Sequence, residues 1–336
     1  MRRALPLLLA VLTASLVACG DDGEDRSTHV RGDTLTVYAS LPSHGLGARA
    51  GTAAEAGMRR ALAERDGRAG GRRVRFVRMS STRAGDATWD PGTVEANADR
   101  AADDPTAIAY LGELDRGASA VSLPVTNREQ ILQVSPADAL TSLTRTPPGR
   151  PRAGPERYYP GGRRTFVRLV APDMVASRAI VAELRARGTR RLAIVTGDGI
   201  ADHELEAMVL GMVGTGQPRT VTRVAAPGDD DELESVAELA DELLEANPQA
   251  IVYASTDGAR TRAALAAIAA QLPGVPLMTP TLTAQRALLA PSGRCPRRLG
   301  YDAMRLTLTA IDRAGPDRLA VVHAARAARR DVTACR

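Results

Sequence analysis

The tightest constraint on this 336-residue chain is a strand–helix–strand unit in its first half. Residues 108–111 (IAYL) form a short apolar run that stops at Gly112, and a helix-like segment follows from Gly117. Residues 131–134 (ILQV) form a second run that stops at Ser135 and Pro136. Runs this short, bounded by turn residues, favour buried parallel strands joined by a crossover helix over half-exposed antiparallel ones. Ligands of open parallel sheets lie beyond the carboxyl ends of the strands. The first candidate site residues are therefore Gly112, Glu113, Leu114, Asp115 and Arg116, then Ser135, Pro136, Ala137 and Asp138.

The same pattern repeats along the chain. Strands are expected over 35–39, 74–79, 166–170, 192–195, 220–225, 250–253 and 275–278. Helices are expected over 47–66, 93–103, 173–187 with Asp173 as its cap, 203–213, 231–246, 259–271 and 317–329. Residues 141–164, rich in Pro, Gly and Arg and containing Tyr158 and Tyr159, read as a crossover between two alternating series. Two such series imply an α/β chain of two similar parallel-sheet lobes.

The amino terminus reads as a leader. Arg2 and Arg3 precede an apolar run at 5–17, which ends in Leu16, Val17, Ala18 and Cys19. This is the pattern of a lipoprotein export signal, with lipidation expected at Cys19; a plain secretory leader is the alternative. The run is too short for a spanning helix, which needs about 20 residues. Residues 1–18 are then the signal peptide and 19–33 a flexible tether. The expected location is the outer face of the cell membrane, held there by the lipid.

Composition removes several chemistries. The chain has no lysine, so no phosphate-loop lysine, Schiff base or lysine general base is available. Its net charge of +5 is interspersed with acids, and aromatics are only 3%. No basic stripe interleaved with aromatics points to nucleic acid. His29, His44, His203 and His323 are scattered, so no metal site is expected. Gly197-Asp198-Gly199 after a strand lacks the third glycine of a dinucleotide loop, which is Asp202, and no cofactor is expected. No nucleophile elbow or His-Glu-x-x-His pattern occurs, so the chain does not read as an enzyme. Cys295 and Cys335, an even pair in an exported protein, are expected to form a disulfide.

In their order and spacing, segments 35–39, 112–119, 131–138, 158–162, 192–199 and 300–304 resemble the type I periplasmic-binding fold. They are most similar to the branched-chain amino acid (Leu/Ile/Val) substrate-binding lipoproteins of ABC importers, and the resemblance covers nearly the whole chain after the leader. It implies two doubly wound parallel-sheet lobes joined by a hinge, with 34–160 plus 297–330 as the first lobe and 161–296 as the second. It also implies a monomer that captures an amino acid or similar small polar solute between its lobes and delivers it to an ABC permease.

The resemblance implies a binding set that this sequence meets unevenly. Family members place hydroxyls after the Gly112-type turn and after the Ser-Pro-Ala turn, where this chain has Arg116 and Ala139. They offer an aromatic near 198–201, where none occurs, and often an acid where Thr281 stands; Asp257 is the best remaining acid. The candidate ligand set is Ser43, Glu113, Leu114, Asp115, Arg116, Ser135, Ala137, Asp138, Asp198, Asp257 and Thr281. Arg116 would grip a carboxylate in bidentate fashion or sit solvated at the rim. Asp115 and Asp138 would meet an ammonium or cap a helix. Losing the hydroxyl, aromatic and acid together favours the alternative, a degenerate binding fold acting as a sensory or protein-interaction module. Between 289 and 300 only a short Pro/Arg/Cys linker is expected, where family members carry another strand and helix.

Overall fold

A computed structural model of the protein describes residues 28–214, 218–227, 234–255, 259–279 and 294–328. Two parallel sheets organise it, each with helices on both faces.

The first sheet has the order β2-β3-β1-β4-β5-β6, built from Arg68–Ala69 (β2), Arg72–Ser80 (β3), Thr34–Leu41 (β1), Ala107–Leu111 (β4), Leu132–Ser135 (β5) and Phe166–Arg168 (β6). All neighbours are parallel except the short β2–β3 hairpin, which the sequence reading did not foresee. The strand β4 is buried at all five positions, as its unbroken apolar run requires. Helix Ala48–Ala63 (α1) buries Ala50, Ala53, Ala54, Gly57, Met58 and Ala61, a spacing that lines one helical face. That face joins β1, β4, β5 and the helices Arg294–Ala314 (α8) and Arg318–Ala328 (α9) in one core. On the opposite face, helices Pro91–Ala102 (α2) and Ser119–Arg128 (α3) pack together, and Tyr38, Met79, Ala101, Tyr110 and Ile131 form a second layer. Asp90 caps α2 by accepting the Thr93 N–H, with proline in the first turn.

The second sheet has the order β10-β9-β7-β8, from Leu277–Met278 (β10), Ala250–Tyr253 (β9), Arg191–Thr196 (β7) and Thr220–Ala225 (β8), all parallel. Helices Asp173–Ala186 (α4) and Ile200–Val213 (α5) cover one face through Ile180, Leu184, Leu205 and Met208. Helices Glu234–Ala246 (α6) and Ala259–Gln271 (α7) cover the other through Leu239, Leu243, Ala264 and Ile268.

Three sequence expectations are corrected. The strand at 166–168 adds to the first sheet, with Gln133 opposite Phe166, and does not open the second series. Its Phe166 and Val167 are buried against first-lobe residues, so the polypeptide leaves the first sheet after Arg168. Asp173 does not cap α4; Pro172 holds the cap position and the Asp173 carboxylate turns to Arg116. The linker expected before Gly300 is already helical from Arg294, because Pro296 falls in the first turn of α8, where its missing N–H costs nothing. Cys295 is disulfide-bonded; its expected partner Cys335 and the expected lipidation residue Cys19 lie outside the described residues. Among the described residues, no helix is long and apolar enough to cross a membrane.

Candidate functional site

In the first sheet β1 lies between β3 and β4, so the chain reverses its direction of travel across the sheet there. In the second, β7 lies between β8 and β9 in the same way. Such switch points leave a crevice at the carboxyl ends of the strands. The loops following β3, β4, β7, β8 and β9 meet there around a cavity of about 270 Å³. Trp89 and Arg116 line it from the first lobe, and Asp198, Ile200, Asp202 and Ser255 from the second.

The charged groups bordering this cavity are tied across the lobes. Arg116 leaves only 9% of its side chain exposed. Its Nε donates to Asp173 Oδ2 at 2.9 Å, Nη2 lies 2.9 Å from the same oxygen, and Nη2 also donates to the Ala201 carbonyl at 3.3 Å. Asp202 Oδ1 stands 3.8 Å from Nη1. Two residues further along α5, Glu204 accepts the backbone N–H of Thr141 at 2.7 Å and of Ser142 at 3.1 Å. Burial raises the pKa of Asp173, and Arg116 opposes the rise. Burial likewise raises that of Glu204, against the N–H groups it accepts. Ala201 completes an apolar patch with Leu123, Leu140, Leu143, Tyr158, Tyr159 and Phe166, and Gly211 approaches Gly149 backbone to backbone. Helix α5 of the second lobe is thus docked on the first along most of its length.

The expected site residues divide into groups. Arg116 and Asp198 line the cavity, Asp198 exposed and Arg116 engaged as above. Asp138 is fully buried and accepts the N–H of Gly117, Ser119 and Leu140, which fixes the loop entering α3. Ser135 donates its hydroxyl to the Glu113 carbonyl and accepts the Asp138 N–H. Leu114 and Ala137 belong to the first-lobe core. Ser43 is half-buried; its hydroxyl accepts from Arg78 at 2.7 Å and its N–H bonds Thr82. Asp115 is half-buried in the connection between β4 and α3. Asp257 and Thr281 lie outside the described residues.

Glu113, in the same connection between β4 and α3, does not line the cavity. It is fully buried, accepts the Tyr110 hydroxyl on Oε1 at 2.7 Å, and leaves Oε2 without a hydrogen-bond partner. Burial pushes its pKa up to about 8, with Asp115 adding to the rise and the Ser40 and Tyr110 hydroxyls opposing it. At neutral pH it is therefore mostly a neutral acid.

Sequence reasoning missed Trp89, Ile200, Asp202 and Ser255. Trp89 is the one tryptophan of the chain, in a polar loop with no strand signal of its own. Ser255 and Asp202 follow β9 and β7, so strand ends in the second lobe were the signal available. Among the described residues, no group of three or more His, Cys, Asp or Glu is placed to hold a metal ion.

No protein-family model matches the chain, and no curated protein matches it. Solved structures of similar fold do. A periplasmic binding protein from Burkholderia mallei is similar with a TM-score of 0.69 at 14% identity, covering 87% of this chain and 82% of that one. A leucine-binding protein from Thermotoga maritima gives 0.65 at 18% identity, covering 87% of each chain. A solute-binding protein of an ABC transporter from R. palustris, solved with benzoate, gives 0.62 at 18% identity, covering 88% and 86%. With two parallel sheets meeting at their carboxyl ends and the chain crossing between them, this protein has the type I periplasmic-binding fold.

Proposed function

We propose that the protein is an extracytoplasmic solute-binding lipoprotein of an ABC importer, anchored through Cys19, which holds a small polar solute between its lobes for a membrane permease. The observation carrying this reading is the cavity of about 270 Å³ between the two sets of strand ends. It sits just below the usual size range of small-molecule sites, about 300–1,000 Å³, which suits an amino acid or another small acid. Proteins of the same fold solved or named with leucine and benzoate support that class. Trp89 and Ile200 supply apolar contact, and Asp198 and Ser255 supply polar contact.

A second reading rests on a specific observation. First-lobe donors, Arg116 at the cavity and the N–H groups of Thr141 and Ser142, are taken by carboxylates of the second lobe. A chain that draws its own lobes together in this way suits a sensory or protein-interaction module.

One experiment separates them. Protein beginning at Gly20 is screened by thermal shift against amino acids, hydroxybenzoates and small dicarboxylates, with Trp89 emission recorded in parallel. A ligand at hundredfold excess over Kd stabilises by about 2.7 kcal/mol, and one seated in this cavity also shifts the emission of the sole tryptophan. Silence in both signals across the panel refutes solute binding and moves the reading to the interaction module.

A further inference from the structure

A second, larger cavity of about 490 Å³ lies on the first lobe at the edge formed by β6 and α9, and it shares no lining residue with the cleft. Arg145, Arg164, Arg168 and Arg326 converge on it, and among the described residues no carboxylate lines it. Arg168 is part of the built structure: only 1% exposed, it donates through Nη1 to the Leu140 carbonyl at 2.6 Å and through Nη2 to Thr144 Oγ1. Arg164 donates to the Thr144 carbonyl at 3.1 Å and lies over the Tyr159 ring at 5.9 Å. Its ion pair with Glu156, at 3.8 Å and largely exposed, contributes little. Arg145 and Arg326 are exposed at the mouth.

Four guanidiniums around one cavity repel one another and concentrate anions there. A monocarboxylate neutralises one of them. A phosphoryl group offers three oxygens and up to two charges, and guanidinium forks match its geometry. We propose that this cavity binds a phosphoryl group on the first lobe, remote from the solute cleft. Two sources share that chemistry: free phosphate and its soluble esters, or the headgroup of an anionic phospholipid.

The test titrates the purified protein with inorganic phosphate by calorimetry in chloride buffer, and sediments it with phosphatidylglycerol or phosphatidylcholine vesicles. The paired variant Arg145→Ala with Arg326→Ala removes two exposed guanidiniums at the mouth. Arg178→Ala with Arg313→Ala, two exposed arginines on α4 and α8 away from the cavity, removes the same two charges and is the charge control. Saturable phosphate binding that weakens at least tenfold in the paired variant and is unchanged in the control assigns free phosphate. Retention on phosphatidylglycerol vesicles alone, lost in the paired variant and kept in the control, assigns the headgroup. Absence of both, an equal loss in the control, or citrate binding as tightly as phosphate overturns the proposal.

Discussion

Replacing Glu113 by Gln tests whether a neutral acid is built beneath the cleft. In the folded chain the Glu113 pKa is raised from 4.5 to about 8, chiefly by burial. The folded state therefore holds this proton more tightly than the unfolded state, which binds fewer protons wherever pH lies between these values. Stability falls as pH rises from about 4.5 to about 8 and is flat above. At about 1.4 kcal/mol per unit, the full loss has a ceiling of about 5 kcal/mol. Between pH 6 and pH 9 the loss amounts to about 3 kcal/mol, since the unfolded carboxyl is ionised at both ends while the folded one titrates between them. Glutamine keeps an acceptor for the Tyr110 hydroxyl and cannot ionise. Urea unfolding at pH 6 and pH 9, with equal m values as the check on two-state behaviour, gives the comparison. The wild type loses about 3 kcal/mol more than Glu113→Gln across that interval, and the variant is the more stable protein at pH 9. Parallel pH profiles for the two proteins refute the reasoning.

Three further substitutions probe the contact between lobes. Arg116→Ala leaves Asp173 buried without its partner and costs about 3–5 kcal/mol, read by denaturant unfolding; a loss under about 1 kcal/mol would mean a rim arginine of the surface kind. Glu204→Gln weakens the acceptance of the Thr141 and Ser142 N–H groups, costs about 1–3 kcal/mol, and increases the radius of gyration in small-angle scattering as the lobes separate; unchanged stability and scattering would remove Glu204 from the contact. In Gly211→Ala the added Cβ falls 2.5 Å from the Gly149 Cα, so overpacking costs about 1–3 kcal/mol; an unchanged melting temperature would show that the 149 loop yields freely.

Legibility differed by element for physical reasons. The strands β4, β7 and β9 were plain because parallel strands buried along most of their length are written as apolar runs. The strand β6 was equally visible as a strand but not as a neighbour of β5, since a three-residue run carries no sign of which sheet edge it will join. Asp138 illustrates the same limit at the site. Its position after a strand fitted ammonium binding and helix capping alike, and only the N–H groups of Gly117, Ser119 and Leu140 around it decide for a structural role. Trp89 carried no periodic signal at all, yet it supplies an aromatic wall of the cleft.

The sequence by itself determined the two-lobed α/β architecture and the level at which a ligand would sit, because hydrophobic periodicity and strand-ending turns are local properties. Tertiary structure alone decided which charges meet. Arg116, Asp173 and Asp202 are separated by tens of residues and find one another only when α5 docks on the first lobe. The four arginines of the β6–α9 cavity come together in the same way, through the return of the chain to the first lobe at α8. Electrostatic pairing acts through space over a few ångströms, and the order of residues along the chain carries no record of it.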